Sequence, residues 1–355
     1  MSVYASPGTL GALSSRSAQP VWENPLGAIK RLPPGVEWQP GIGSIEMSRG
    51  DILVMAGMPR ALSNILLLLK ARLKGVKTVW WAHYRSSTSK SWRVSLRLKL
   101  LCLADLALFY TDEEILHFRQ RRVCDPSLAI DALNNGIDNS VIRSIRVPYE
   151  ARRREPRILF IGRLTKKSAL DVLLKAVSQP VLKGVLLDVI GDGERRETFE
   201  RYAEALGIRE RVNWHGATTD ETAIANIANS CRIFVYPGAV GLSIVHALNY
   251  GLPVVVHDDR WLHMPEIAAF SDGENGLSFA RGDSKSLSDT IFNIIHDSDR
   301  LDAMSRVAIT TTEESFNIDD MVSRFNRVIR ALENQRKKGG VLPNGHASGS
   351  VERKQ

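Results

Sequence analysis

A glycine-rich segment in the second half of the chain carries the sharpest chemical signal. Residues 236–247 read Tyr-Pro-Gly-Ala-Val-Gly-Leu-Ser-Ile-Val-His-Ala. A strand is predicted to end just before Gly238, so Gly238 and Gly241 place bare backbone N–H groups ahead of a helix. A helix N-terminus binds anions because its first N–H groups lack partners and its dipole is positive there. The segment therefore predicts a phosphate-binding loop that continues into Leu242 and Ser243.

The same predicted helix carries a histidine close to this loop. His246 lies five residues beyond Gly241, in the second helical turn. Its position close to a predicted anion-binding loop suggests that the imidazole contacts the ligand. A histidine at such a position is equally often a satisfied structural residue, so both interpretations stay open.

A second candidate phosphate contact follows the first predicted strand of this half. Gly162 is followed there by Arg163 and, after a short turn, by Lys167. Glycine lets the backbone approach a ligand, and two cations can clamp a diphosphate from two sides. A solvated basic turn is the competing interpretation. The next strand ends in Gly-Asp192-Gly193, which lacks the GxGxxG spacing of a dinucleotide site and fits a tight turn equally well.

These residues need a frame of strands to position them, and the hydrophobic pattern predicts one. Buried-strand patterns lie at 51–56, 78–82, 107–111, 157–162, 185–191, 211–216, 232–237, 253–258 and 276–280, with helical patterns between most of them. Strands that alternate with helices predict parallel sheets with ligands at the carboxyl ends of the strands. The predicted fold class is α/β, with two Rossmann-like domains facing across a cleft.

Length and composition agree with two globular domains. The chain has 355 residues, of which 44% are hydrophobic and 24% charged, and its net charge is +8. Ordinary composition excludes collagen-like, low-complexity and wholly disordered proteins. The positive charge invites nucleic acid, an anionic membrane or a phosphorylated small molecule as partner.

The second half resembles the nucleotide-sugar domain of the family 4 glycosyltransferases, which have the GT-B fold. The resemblance covers about residues 156–330, in family order and spacing. It is carried by Phe160-Ile-Gly-Arg-Leu, Asp171-Val-Leu-Leu-Lys-Ala, Val189-Ile-Gly-Asp-Gly, Arg211-Val-Asn-Trp-His215-Gly, Gly251-Leu-Pro-Val-Val and Asn275-Gly276. The first half resembles the acceptor domain more loosely, through Trp80-Trp-Ala-His83 and Asn135-Gly-Ile-Asp138.

The resemblance implies roles for the residues singled out above. Donor-binding residues would be Gly162, Asp192, Gly193, His215, Gly238, Gly241, Leu242, Ser243, His246 and Glu266. The candidate catalytic residues would be His83, Arg163 and Lys167, with His83 reaching toward the donor phosphates or the transferred sugar. A buried structural histidine is the competing interpretation for His83, and a helix N-terminal charge is the competing one for Glu266.

Three positions depart from the family pattern. The family usually has a lysine five residues after the arginine, where this chain has Ser168. Its two motif glutamates align here with Gly238, or a deletion, and with His246. The pattern Pro-Gly-x-Val-Gly-Leu-Ser-x-x-His indicates a variant branch and leaves recognition of the sugar hydroxyls to other groups, with Glu266 as a candidate carboxylate.

Basic residues crowd one stretch of the first half. Ten Lys and Arg residues and no acid lie from Arg60 to Lys99. Predicted helices place Lys70 and Lys74 on one stripe and Arg93 and Arg97 on another, with Lys99 nearby. Such basic amphipathic helices suit anionic lipid headgroups, although a solvated basic face is the competing interpretation. A nucleic-acid surface ranks last because no recognition motif accompanies the charge.

Location and domain limits follow from the same patterns. Three scattered cysteines argue against disulfides and for a reducing compartment, and neither a signal peptide nor a membrane-spanning segment is evident. We expect a cytoplasmic protein, peripheral on the inner face of the cell membrane. The expected divisions are an irregular or abbreviated start (1–40), the acceptor-side domain (41–150), the nucleotide-sugar domain (156–318), a C-terminal helix (319–334) and a disordered tail (335–355), with a linker at 147–156.

The resemblance implies a glycosyltransferase that uses a nucleotide diphosphate sugar as donor substrate. Retention of anomeric configuration and the absence of a cofactor or essential metal are further implications. By analogy the acceptor would be a saccharide, lipid-linked as in bacterial surface polysaccharide synthesis. Two alternatives remain: a non-catalytic GT-B binding or scaffold protein, and a GT-B epimerase that acts on the nucleotide sugar itself.

Overall fold

The computed structural model describes residues 1–5, 23–33, 35–84 and 91–339. The first domain is built on a four-stranded parallel sheet in the order β5-β6-β7-β8, preceded by two small strand pairs. Its elements are β1 (Val3–Ala5), β2 (Glu23–Pro25), β3 (Lys30–Leu32), β4 (Val36–Trp38), β5 (Ile52–Ala56), α1 (Leu62–Leu73), β6 (Lys77–Trp81), α2 (Ser91–Leu101), β7 (Leu106–Phe109), α3 (Asp112–Gln120) and β8 (Ala129–Ala132).

The second domain is built on a six-stranded parallel sheet in the order β11-β10-β9-β12-β13-β14. Its elements, with the C-terminal helix, are α4 (Ser140–Ile145), β9 (Arg157–Ile161), α5 (Leu170–Val177), β10 (Leu186–Ile190), α6 (Arg196–Ala205), β11 (Val212–Gly216), α7 (Glu221–Ala228), β12 (Ile233–Tyr236), α8 (Leu242–Asn249), β13 (Val254–His257), β14 (Gly276–Phe279), α9 (Ser284–Ile295), α10 (Ser298–Glu314) and α11 (Ile318–Gly339). The predicted α/β class with parallel sheets is confirmed.

The strands are apolar because helices cover both faces of each sheet, as parallel sheets require. In the first domain one face packs on α1 and α2, and the other packs on α11. Helix α11 follows the second domain in sequence, but Val328 and Leu332 are buried against Val79, Leu106 and Leu108 of the first sheet. The C-terminal helix therefore ties the two domains together.

The chain crosses between the domains at two adjacent places. Ile137 donates its backbone N–H to the Phe316 carbonyl, and Ile318 donates to the Ile137 carbonyl, at 3.2 and 3.0 Å. A Cβ on Gly136 would lie 2.3 Å from the Phe316 carbonyl carbon and 2.4 Å from the Asn317 nitrogen. The two crossings can therefore touch only because residue 136 has no side chain.

Two expectations about chain organisation need correction. The stretch 147–156 is not a free linker, because Ala151 is buried in the second core and the buried Arg154 donates to the Ala228 and Cys231 carbonyls. Residues 335–339 belong to α11, while the rest of the predicted disordered tail, 340–355, lies outside the described residues. Helices α3, α4 and α10 and strand β8 were not predicted. Helix α3 is highly charged, and α4 and β8 are very short.

The cysteine inference is also wrong. Cys102 and Cys124 form a disulfide, with their Cα atoms 5.5 Å apart, and Cys231 is a buried free thiol. The two partners are 22 residues apart in sequence, and only the packing of the end of α2 beside the turn after α3 brings them together. Cysteine usage therefore gives no support for a reducing compartment. In the part of the chain that is described, no helix is both long and apolar enough to cross a membrane.

Candidate functional site

The carboxyl ends of the two sheets face each other, which is where an open α/β fold binds ligands. Asn135, after β8, donates its amide to the Glu266 carboxylate beyond β13, with Nδ2 2.6 Å from Oε1. Arg260, also after β13, forms an ion pair with Glu113 at the start of α3. These contacts place the loops of both domains around one cleft.

The predicted phosphate loop between β12 and α8 is fixed by its neighbours. Ala239 donates its N–H to the Lys167 carbonyl at 3.2 Å, and a Cβ on Gly238 would meet that same oxygen at 2.1 Å. On the other side, Val240 donates to His263 Nδ1 at 3.2 Å. The loop is thus held ahead of Gly241. Ile244 donates its N–H to the Gly241 carbonyl at 3.0 Å, and the N–H groups of Leu242 and Ser243 begin the helix, where intrahelical acceptors are lacking.

The two predicted cations lie beside this loop. The guanidinium of Arg163 is close enough to Tyr236, at the end of β12, to affect the pKa of its phenol, which burial raises. Lys167 contacts the loop through its backbone carbonyl, which accepts the N–H of Ala239. Both side chains are exposed, and neither forms an ion pair with any residue that the structure describes. The sequence-predicted cations and loop are therefore brought together, with positive charge left to meet an anion.

Two glycines of the predicted donor site, Gly162 and Gly193, and the neighbouring Gly191 allow close packing around the loops. A Cβ on Gly162 would lie 2.7 Å from the Tyr236 ring. Gly191 and Gly193 have φ values of 149° and 158°, and their Cβ atoms would meet the carbonyl oxygens of Gly162 and Leu164 at 1.9 and 2.6 Å. Gly191 and Gly193 let the loops after β9 and β10 pack closely against each other, and Gly162 leaves room for the Tyr236 ring. Close packing alone therefore explains why these three positions are glycine.

Two other predicted donor-binding side chains are engaged within the domain. Asp192 accepts the N–H of Gly193 at 2.7 Å. His215 places Nε2 2.8 Å from Oδ1 of Asp188, a buried carboxylate that also pairs with Arg157. Ser168, at the position of the family lysine, is fully buried and donates to the Thr165 carbonyl, so Lys167 is the side chain available there.

His246 is held by a carboxylate of the neighbouring helix. Its Nε2 lies 2.8 Å from Oε1 of Glu221, and the Tyr250 hydroxyl donates to the same oxygen at 2.5 Å. Burial opposes ionisation of Glu221, but the contacts from His246 and Tyr250 leave its pKa below the ordinary value. The Nε2 atom of His246 thus has a structural partner, and Nδ1 is the ring atom that remains for a ligand.

Glu266 is the buried carboxylate of the cleft. Its side chain lies in the short 3-10 helix Pro265–Ala269 and only 5% of the residue is exposed. Oε1 accepts from Asn135, whereas Oε2 has no hydrogen-bond partner in the described structure and lies 3.8 Å from where a Cβ on Gly241 would be. Burial raises the pKa of this carboxyl group. A buried acceptor without a partner is costly, and a ligand hydroxyl would satisfy it.

His83 occupies the facing wall, just beyond β6. Its ring stacks on Tyr110 with centroids 3.9 Å apart, and its Nδ1 is buried without a partner in the described structure. Burial, helped by the charge of Arg97, lowers the pKa of His83 from 6.5 to about 4. The imidazole is therefore neutral at pH 7 and offers one unsatisfied nitrogen.

Arg97 is not on an outer basic stripe as the helical pattern predicted. It shares the inner face of α2 with the buried Val94, Leu98 and Leu101, and its Nε and one Nη atom are buried without partners in the described part of the chain. Burial lowers its pKa, although the nearby Glu114 opposes this. The helical spacing predicts which residues share a face of α2 but not which face meets the sheet.

The other predicted membrane-side residues divide into two groups. Lys70 and Lys74 donate to backbone carbonyls of residues 43–47, Lys70 to Gly43 at 2.6 Å and Lys74 to Met47 at 3.1 Å. Lys99 is exposed, and the side chain of Arg93 lies outside the described structure. Beside these lysines, Leu62, Leu66, Leu69 and Leu73 form an exposed stripe on α1, with Leu73 91% exposed.

Sequence reasoning missed two residues that organise the site. The buried Glu114 accepts the backbone N–H groups of Tyr84 and Tyr110, at 2.8 and 3.0 Å, and so joins the loops after β6 and β7. His263 holds the phosphate loop through Val240 and places Nε2 2.9 Å from the His257 carbonyl. An acid five residues after the end of β7 was the available signal for Glu114, whereas nothing local indicated His263.

Comparison with known proteins shows what the chain is similar to. Residues 141–311 match the family model described as "Glycosyl transferases group 1". The chain is 28% identical over 148 residues to the lipopolysaccharide core biosynthesis glycosyltransferase LpsE of Rhizobium meliloti, covering 40% of each protein. It is 29% identical over 164 residues to the D-inositol 3-phosphate glycosyltransferase of Mycobacterium marinum, covering 43% of this chain and 34% of that one. These matches thus span less than half the length of either relative.

Solved structures extend the likeness to both domains. The lipopolysaccharide outer core galactosyltransferase WaaB superposes with a TM-score of 0.61 at 20% identity, over 79% of this chain and 75% of that one. Sucrose-phosphate synthase from Thermosynechococcus elongatus gives 0.62 at 17% identity, over 80% and 74%. At such identities the likeness concerns the fold. The chain has the GT-B fold, and its residues 141–311 are similar to the group 1 glycosyltransferase domain.

Proposed function

We propose that the protein is a glycosyltransferase that moves a sugar from a nucleotide diphosphate sugar to a saccharide acceptor. The observation that carries this proposal is the meeting of Arg163, Lys167 and the start of α8 at one edge of the second sheet. Two unpaired cations and a helix N-terminus form a cradle for a diphosphate leaving group. A structure of HepE from Anabaena, of the same fold, holds UDP.

The proposed chemistry depends on charge supplied by the chain itself. Negative charge develops on the diphosphate as the sugar leaves, and preorganised cations and N–H groups stabilise it without a metal. Glu266 would accept a hydroxyl of the transferred sugar at its unpaired Oε2, and the neutral His83 would face the sugar from the first domain. Closure of the domains would exclude water and limit hydrolysis of the donor. Retention of anomeric configuration belongs to the same proposal.

The acceptor is proposed to be lipid-linked, as in the assembly of bacterial surface polysaccharides. Two relatives carry names from lipopolysaccharide synthesis, which supports this choice. The leucine stripe of α1, with Lys70 and Lys74 beside it, supports a peripheral position on the inner face of an anionic membrane.

A screen of UDP-, GDP-, ADP- and dTDP-sugars by thermal shift tests the proposal. A donor that binds only the folded protein raises its melting temperature. We expect stabilisation by sugars of one base, followed by release of the nucleoside diphosphate when a lipid-linked acceptor is added, both unaffected by EDTA. No stabilisation by any of these donors would contradict the proposal.

A non-catalytic GT-B binding protein is the second candidate. Gly238 offers no side chain at the place of a family glutamate, and Nε2 of His246 is engaged by Glu221, which favours this candidate. It predicts binding of a nucleotide sugar with neither transfer nor release of the sugar. Interconversion of the free donor without an acceptor would instead indicate an epimerase.

A further inference from the structure

A cavity where the two domains meet is lined by aromatic and polar side chains. We propose that it binds a pyranose ring of the acceptor, an inference that rests on the proposed glycosyltransferase function and adds a subsite to it. The cavity has a volume of about 330 Å³ and is lined by Tyr84, His117, Gln120, Arg121 and Trp261. Small-ligand pockets measure roughly 300 to 1,000 Å³, so this one suits a single ring.

Three aromatic rings from three separate elements form its walls. Tyr84 follows β6, His117 lies on α3, and Trp261 lies in the short 3-10 helix Arg260–Leu262. The Trp261 ring centroid is 5.9 Å from that of Tyr84 and 4.8 Å from that of His117, and the Tyr84 and His117 centroids are 5.9 Å apart. Large rings with polar edges contact both the apolar C–H face and the hydroxyl rim of a sugar.

Polar groups at the rim match the hydroxyl groups of a sugar. Arg121 donates Nε to the Tyr84 hydroxyl at 3.0 Å, which fixes the guanidinium at the cavity. Its Nη atoms form no ion pair with a described residue, and Gln120 beside it is exposed. Guanidinium and amide groups donate several hydrogen bonds in fixed directions. The charge of Arg121 disfavours a cationic ligand, which leaves neutral or acidic sugars.

The position of the cavity links it to the reaction. Tyr84 directly follows His83, the candidate catalytic histidine, and its N–H is held by Glu114. Trp261 directly follows Arg260, whose ion pair with Glu113 spans the domains. One wall therefore comes from each domain, so a sugar bound there would contact both domains next to the proposed site of transfer.

Saturation-transfer-difference NMR of the whole protein tests the assignment. The probes are the methyl glycosides of glucose, galactose, mannose, N-acetylglucosamine and glucuronic acid, each added to the wild type, W261A, W261F, R121Q and R119Q. Arg119 is an exposed residue of α3 that does not line the cavity, so R119Q is the matched control. Circular dichroism checks the folding of each variant, and thermal shift with the preferred nucleoside diphosphate checks its donor site.

We expect saturation of ring C–H protons of at least one glycoside by the wild type. That signal should fall at least fivefold in W261A and clearly in R121Q, and should persist in W261F and R119Q, with nucleotide binding unchanged in all of them. Equal signals from wild type and folded W261A, or no signal from any glycoside with wild type that binds nucleotide, would overturn the assignment. If the wild type binds none of the nucleoside diphosphates, the result would instead count against the proposed function.

Discussion

Glu266 is a buried carboxylate to which the proposed function assigns a role in binding the transferred sugar. One carboxylate oxygen is bonded to Asn135 across the cleft, and the other is buried without a partner in the described structure. A buried acceptor without a partner lowers the stability of the folded protein, and a hydrogen bond from a ligand hydroxyl would remove this cost. Its place beside Gly241 allows it to serve where the two family glutamates are missing.

Replacing Glu266 with Gln should separate these two effects. The amide keeps the shape of the side chain but cannot ionise. Because burial already raises the pKa of the Glu266 carboxyl group, its charged form is costly, and the free variant should melt at the same or a slightly higher temperature. Turnover should fall at least tenfold while the nucleoside diphosphate Kd stays within about twofold. Melting curves, steady-state kinetics and calorimetry measure the three quantities. Unchanged turnover would contradict the role assigned to this carboxylate.

The buried histidines predict that the folded protein loses stability as the pH falls. Burial lowers the pKa of both His83 and His263 from 6.5 to about 4. Between these pH values the unfolded chain binds more protons than the folded protein, so stability falls as the pH drops from about 6.5 to 4. Burial raises the pKa of Glu114 to about 7, so its protonation favours the folded state as the pH falls and partly offsets the loss. This contribution is the same in all the variants compared.

His263→Gln isolates one of these contributions. The Gln amide can accept from Val240 and donate to His257 without titrating. Between pH 7 and pH 5 the variant should lose less unfolding free energy than the wild type, by on the order of 1 to 2 kcal/mol. Urea unfolding at the two pH values measures this, with the exposed His296→Gln as control. Equal losses in wild type and H263Q would show that His263 does not stay neutral in the folded protein.

At the scale of elements, the two crossings between the domains form a joint that excludes side chains. Gly136→Ala would place a methyl group 2.3 Å from the Phe316 carbonyl carbon, where only backbone movement can relieve the clash. We expect the melting temperature to fall by several degrees and domain closure, read as turnover, to weaken. Gly43→Ala is the control, since a Cβ there meets nothing within 4 Å. A melting temperature equal to that of wild type would contradict the described joint.

Helix α1 presents the other element-scale prediction. Leu69 and Leu73 are 43% and 91% exposed, and Lys70 and Lys74 flank them. Replacing both leucines with Gln should reduce binding to phosphatidylglycerol vesicles severalfold, because their apolar area would no longer enter the lipid. Vesicle flotation measures the binding, and Leu116→Gln on α3, 62% exposed, is the control. Unchanged flotation would rule out α1 as the membrane contact.

At the scale of the whole molecule, sequence patterns predicted the second domain far better than the first. All six of its strands were predicted, because long apolar runs separate regular helical patterns. Helices α3, α4 and α10 and strand β8 were not predicted. The return of α11 to the first sheet depends on contacts between residues such as Val79 and Leu332, far apart in sequence. No local pattern carries such information.

The site divides in the same way. Arg163, Lys167 and Gly238 were predicted because each follows a strand, and parallel strands bring their carboxyl ends together. The burial of Arg97 was not, because a helical stripe does not reveal which side meets the core. The contacts of His246 with Glu221 and of Cys102 with Cys124 likewise join residues of separate elements.

The measurement that tests the central claim most directly compares nucleoside diphosphates with the matching monophosphates by calorimetry. If Arg163, Lys167 and the start of α8 hold a diphosphate, the wild type should bind the diphosphate at least tenfold more tightly. A charged hydrogen bond contributes about 1.5 to 3 kcal/mol, so R163A and K167A should each lose most of this preference. Lys183→Ala, on an exposed turn at the amino end of β10, should keep it. Equal affinity for mono- and diphosphates, or wild-type binding by both variants, would contradict the account.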